Sequence, residues 1–408
     1  MRYYHATSFL EPIMSIPQRL VIVGIISAAL PLIATAQTKP PVATYWMSAE
    51  TTAGMNMTGG APSMSDMASM MLGGGMNSSS KRLLLQLASQ QSASGEPAAD
   101  HFIPSAMNMG SSLPLTAPKK VERTQGRDEE EHTEKYEKPK GRLLLFWGCG
   151  AQAGAGQPYI IDFAKIASGK QWPAGLFTRR VSGQIAPRGK NLGDWPNEKD
   201  STRVPSGSSL IGEHVIKGNY SPDIKFNLEN LDYLAPLDIA MSKQAGGAMD
   251  LRWKSINNAT GYFANVMGAD SNGNDMVWWV SANSKEFGEV LFSFIPPGEV
   301  AKLVKDKVVL SSSTTECTVP KEVMSAAPNA MLRMIAYGEE ANFAYPPRPK
   351  DPKAPWNPEW ATKVRVKSTA FQPIMEGESK RGSSGDSSSG GDDPGAAVGK
   401  ALKGLLGF

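Results

Sequence analysis

Large apolar side chains in this sequence recur at every second position within short runs, and the runs are separated by Gly, Pro and Asn rather than by long amphipathic stretches. Leu251-x-Trp253, then Tyr262, Ala264 and Val266, then Leu332-x-Met334-x-Ala336 each put bulky groups on one side of a pleated segment. A period of two cannot form the apolar stripe of a helix, which needs 3.6. Short strands joined by turns predict a mainly β fold of antiparallel type. The Asn272-Gly273 pair before Met276 to Val280 (MVWWV) is a hairpin turn signal of the same kind.

Changes in composition divide the chain. Residues 37–80 are rich in Gly, Ser, Thr and Met and read as a low-complexity arm, with one strand-like run at Val42 to Met47. Residues 81–235 predict a first β-rich domain, with strands at Lys81 to Ala88, Arg142 to Trp147, Tyr159 to Phe163, Gly212 to Lys217 and Ile224 to Leu228. It is interrupted at 119–142 by charges of alternating sign with almost no apolar residue, expected to be a disordered linker. Residues 236–346 carry the clearest alternation and predict a β-sandwich. Residues 347–408, first Pro- and Lys-rich and then Ser- and Gly-rich, are expected to be a disordered tail.

Within the second domain, Leu251-Arg252-Trp253 followed by Ala259-Thr260-Gly261-Tyr262 resembles the B and C strands of bacterial fibronectin type III modules, and Leu332-x-Met334-x-Ala336 is similar to their F strand. The resemblance implies an Ig-like sandwich. Two departures mark it: Ala330 stands where those modules usually place a Tyr, and Pro297 to Leu310 reads as a short helical insertion with Val300, Leu303 and Val304 on one face. The whole chain, with its YWMSAETTAGM opening and LLLFWGCG segment, also resembles exported proteobacterial proteins, which implies export and no particular activity.

The N-terminus independently predicts export. Arg19 precedes an apolar run from Leu20 to Ile33, and Ala34-Thr35-Ala36 has the small-x-small pattern of a signal peptidase site, so cleavage is expected after Ala36. The run is short of the roughly 20 residues a bilayer-spanning helix needs. Met14 opens a more conventional leader than Met1 does, leaving either as the start. The periplasm or the outer surface is the expected location. In an oxidising compartment Cys149 and Cys317, the two cysteines, are expected to pair or else to stay as separate buried thiols.

Lys and Arg number 42 against 39 Asp and Glu, a balance that predicts no nucleic-acid partner. Ten methionines lie between Met47 and Met109, and Met55, Met57, Met64, Met67 and Met70 are candidate soft ligands for copper(I); a tether or a Met-faced docking helix is the alternative. His101, His132 and His214 lack metal spacing. Gly148-Cys149-Gly150 imitates a dinucleotide fingerprint, but Gly154, Gly156 and Pro158 break the helix it needs, and the glycines read as a turn. No GxSxG motif is present. Trp278 and Trp279 are neighbours on one strand and must point to opposite faces; one is expected in the core, while the other is either a binding surface or covered by the first domain. Residues 396–408 (AAVGKALKGLLGF) form a short amphipathic segment suited to weak contact with a membrane surface or to docking.

The expectation is therefore an exported cell-envelope interaction or structural protein without catalysis or cofactor, whose partner is an envelope protein or glycan. A copper(I)-binding protein and a secreted carbohydrate-active or hydrolytic enzyme are the alternatives.

Overall fold

The computed structural model describes residues 39–54, 79–118, 141–167, 181, 184, 186–351 and 354–374. The chain is mainly β, and one ten-stranded sheet organises it. Along this sheet the order is β6 (Tyr159–Asp162), β5 (Arg142–Trp147), β13 (Met276–Val280), β12 (Ala259–Ala269), β16 (Asn329–Tyr345), β17 (Trp360–Ile374), β1 (Ala43–Gly54), β2 (Ser79–Ser89) and β7 (Asn191–Trp195). A two-residue strand, β14 (Leu310–Ser311), pairs with β12 off this path. Two smaller sheets accompany it: β4-β3-β8-β9 (Ser112–Leu115, Ala99–Phe102, Gly212–Gly218, Ser221–Leu228) and β10-β11-β15 (Ile239–Lys243, Met249–Trp253, Glu316–Val319).

Alternation assigns the two faces of the long sheet. Tyr45, Met47, Leu85, Val266, Trp279, Met334 and Val364 point to the front, where they form one continuous core with the inner residues of both small sheets, among them Ile216, Phe226, Leu251 and Trp253. Leu143, Leu145, Phe263, Val280, Ile335 and Tyr337 point to the back. There they pack under α2 (Pro297–Lys305) and its flanking loops, through Val300, Leu303, Leu291 and Phe292. The helical insertion thus lies where the sequence puts it, and Pro at its first turn suits the missing N–H. Two shorter helices are α1 (Phe163–Ala167) and α3 (Lys321–Ala326).

The long sheet draws strands from both sides of the junction at residues 235 and 236. Two of its pairings are parallel, β1 with β17 and β5 with β13, because strands from the N-terminal half join the two edges of the β13-β12-β16-β17 group. Such pairings need long connections rather than turns.

Two segments correct the sequence reading. Trp360–Ile374, assigned to the disordered tail 347–408, is a fifteen-residue strand between β16 and β1. Its inner positions are Trp360, Thr362, Val364, Val366, Ser368 and Ala370, all buried, while Lys363, Arg365 and Lys367 occupy the other face. Alternate cations lower the mean hydropathy and mask a period-two pattern that is present. Likewise Ala43–Gly54, placed in the arm 37–80, is a full strand beyond its expected run. Its inner positions end in small and polar groups, and buried Thr51 donates through its hydroxyl to the Leu234 carbonyl at 2.7 Å.

The long strand β16 changes face partway. Tyr337 pairs with Lys367 but Glu340 pairs with Arg365, so one extra residue is inserted on β16. The bulge reverses parity. Leu332, Met334 and Ala336 face the front core before it, whereas Ala341 and Phe343 do so after it. Gly338 sits at this point, and a Cβ there would stand 2.5 Å from the Val366 carbonyl oxygen.

Candidate functional site

Histidines separated widely in sequence meet in the front core. β3 and β8 are neighbouring antiparallel strands, with His101 paired to Ile216, and this brings His101 beside His214. Tyr45 Oη lies 2.9 Å from His101 Nδ1, His101 Nε2 lies 3.0 Å from His214 Nδ1, and His214 Nε2 lies 2.7 Å from the Leu210 carbonyl. The carbonyl only accepts, so His214 Nε2 carries a proton and its Nδ1 accepts one from His101 Nε2–H; His101 Nδ1 in turn accepts from the tyrosine hydroxyl. Each nitrogen lone pair is used, and none is left for a metal.

Both imidazoles are buried. Burial pushes the His101 pKa well below the ordinary value, helped by the adjacent His214, and burial also lowers that of His214 against the opposing pull of the Leu210 carbonyl. The same desolvation holds Tyr45 well above the phenol range. Three neutral groups in one directed chain of hydrogen bonds, stacked on Phe226 with ring centroids 4.9 Å from His214, make a satisfied polar core. Metal spacing rules missed the pair because adjacency here comes from strand pairing.

A concave site opens between the end of β9 and β16. The end of β9 supplies Asn227, Glu229 and Asn230, the β11–β12 turn supplies Asn258, and the β16 bulge supplies Glu339 and Glu340; Leu228, Leu231, Ala341 and Phe343 complete a cleft of about 480 Å³. Asn258 occupies the left-handed region, with φ of 64°, a conformation Asn tolerates. Its Nδ2 donates to the Asn230 carbonyl at 3.4 Å, tying the turn to the β9 end. Phe343 is half-buried and stacks on Phe226 at 5.2 Å. The lining therefore combines apolar and aromatic groups with carboxamides and carboxylates, a set that can bind hydroxyl-rich ligands through both donors and acceptors.

The residues singled out from sequence are dispersed. Cys149 and Cys317 are bonded, with Cα atoms 5.2 Å apart across a separation of 168 residues. The bond ties the turn after β5 to β15, and Gly150 N–H adds a hydrogen bond to the Thr318 carbonyl at 2.8 Å. Trp279 is fully buried in the front core and donates its indole N–H to the Gly148 carbonyl at 2.9 Å, so it is no binding surface. Trp278 is half-buried against Phe287 at 5.4 Å on the back, with its indole nitrogen inaccessible to water. Met47, Met107 and Met109 are core residues, while Met55, Met57, Met64, Met67 and Met70 lie outside the described residues, as does the amphipathic segment 396–408. Among the described residues no group of three or more His, Cys, Asp or Glu is arranged to hold a metal ion, and no helix is long and apolar enough to cross a membrane.

The fold and cleft define a mainly β protein with a polar and aromatic recess between sheets. Compared with known proteins, the chain matches no family model, no curated protein and no solved structure.

Proposed function

We propose that this chain is an exported, non-catalytic interaction protein of the cell envelope, and that the cleft between the end of β9 and β16 receives an envelope glycan. The lining of the cleft carries this reading: half-buried Phe343 offers an apolar surface to a sugar ring, and Asn227, Glu229, Asn230, Asn258 and Glu339 offer both donors and acceptors to hydroxyls. The Cys149–Cys317 bond supports export, since such bonds persist in oxidising compartments. The placement of β11 in a three-stranded sheet and of β12, β16 and β17 side by side in the facing sheet supports the fibronectin-like reading, in which B belongs to one sheet and C, F and G to the other.

Titration of soluble envelope glycan fragments into the purified chain tests the binding. Saturable binding that weakens at least tenfold in Asn230→Ala and Glu339→Ala is expected. Equal binding by the wild type and both variants would remove the cleft from consideration. Fractionation with N-terminal sequencing tests the export, with Gln37 as the expected first residue of the mature chain.

A further inference from the structure

The back of the long sheet carries a second constellation, which meets the cleft only at Glu340. On β17, Lys363, Arg365 and Lys367 project from alternate positions, and Arg333 on β16 joins them. Three carboxylates face these four cations, and each pairs with a cation other than Arg365. Glu289 pairs with Arg333 at 2.7 Å and Glu340 with Lys363 at 2.6 Å, while Glu50 accepts from Thr369 at 2.6 Å and lies 3.6 Å from Lys367. Arg365 instead donates to neutral oxygens: Nε to Ser48 Oγ at 2.7 Å and Nη1 to Gln184 Oε1 at 2.7 Å.

Its guanidinium also lies over two aromatic rings, 4.6 Å from the centroid of Trp46 and 4.6 Å from that of Phe294. Cation–π contact of this kind makes no use of the N–H groups of the guanidinium, whose in-plane edge is the one that matches carboxylate and phosphate oxygens. Desolvation lowers the Arg365 pKa to about 10 against the opposing pull of Glu340, still far above neutrality, so the charge is retained, and its hydrogen bonds among the described residues go to neutral oxygens. Beside it, Gln184 Nε2 is sealed from water and has no acceptor among the described residues. A carboxamide on Arg365 thus presents its oxygen correctly, while its two N–H groups find no acceptor among the described residues.

We infer that Arg365, with Ser48, Trp46 and Phe294 around it, is a binding site for a small oxyanion, a carboxylate or phosphate group, which takes the place of the Gln184 carboxamide on Nη1. The exchange is favourable on both counts. An anionic oxygen makes a stronger, charge-assisted bond to the guanidinium than an amide oxygen does, and the released Gln184 side chain recovers partners for its N–H groups in water.

Acetate and inorganic phosphate serve as probes, with sodium chloride at matched ionic strength as the control, and two readouts follow them: the thermal midpoint and the Nε–H resonance of Arg365. The expected result is a saturable shift with one or both oxyanions and none with chloride, acetate and phosphate separating the carboxylate from the phosphate source. Arg365→Gln is expected to lose the response. Gln184→Glu supplies a carboxylate in place, and it is expected to raise the thermal midpoint and to abolish the response while keeping the fold. A response to chloride equal to that of the oxyanions overturns the site, as does an unaltered oxyanion response in Gln184→Glu. Glycan binding in the front cleft is read separately, so either proposal can fail alone.

Discussion

His101 Nε2 stands 3.0 Å from His214 Nδ1 in the sealed interior, and one proton is shared along that line. Since both imidazoles have pKa values below the ordinary one, the unfolded chain binds more protons than the folded chain wherever pH lies between the folded values and about 6.5. Stability from this pair is fully present above about pH 6.5 and is lost as pH falls through the window below it, levelling off under the folded values. Asp194, whose carboxyl is raised by burial, has the opposite sign and partly offsets the loss at the acid end. Urea midpoints measured from pH 8 down to pH 5 are expected to decline; a flat profile would contradict the neutral assignment.

Tyr45→Phe removes the donor to His101 Nδ1 without changing the packing volume much. An acceptor is then buried unpaired, at a cost of about 1–3 kcal/mol. Equilibrium unfolding measures it, and a cost near zero would show that the hydroxyl is not the donor.

Reduction of Cys149–Cys317 releases a closed loop of 168 residues, which in the chain-entropy model is worth about 5 kcal/mol. The double variant Cys149→Ser/Cys317→Ser is expected to lose a comparable amount in urea unfolding, and reductant should leave that variant unaffected while destabilising the wild type.

Gly338→Ala places a methyl 2.5 Å from both Val366 Cγ2 and the Val366 carbonyl oxygen, at the bulge where β16 changes face. Overpacking there is expected to destabilise by about 1–3 kcal/mol, and to disturb both halves of the long sheet, because β17 carries the strain along its length. Thermal unfolding followed at Trp279 on one side and Tyr45 on the other should shift together.

A chain ending at Glu359 lacks β17 and is expected not to fold. Its loss exposes the facing edges of β16 and β1 at once and removes Trp360, Val364 and Val366 from the core. A cooperative unfolding transition in that truncation would contradict the central position assigned to Trp360–Ile374.

Sequence by itself determined the class of fold, because alternation every second residue and frequent Gly, Pro and Asn leave little besides short strands and turns. It located the individual strands at Arg142–Trp147, Gly212–Gly218 and Met276–Val280 and the helix at Pro297–Lys305, each of which has an apolar face written locally. Strand Trp360–Ile374 was legible in its Val-Arg-Val-Lys alternation but obscured by charge, since the cationic side needs only a half-buried face to be stable. Tertiary structure alone decided the rest: the parallel joining of β1 to β17, the His101–His214 contact across 113 residues, and the placing of Arg365 against Trp46 and Gln184. Local patterning fixes which side of a strand is apolar. It carries no information on which distant strand will lie alongside, and that choice is made by the burial of whole sheet faces and the satisfaction of backbone edges at once.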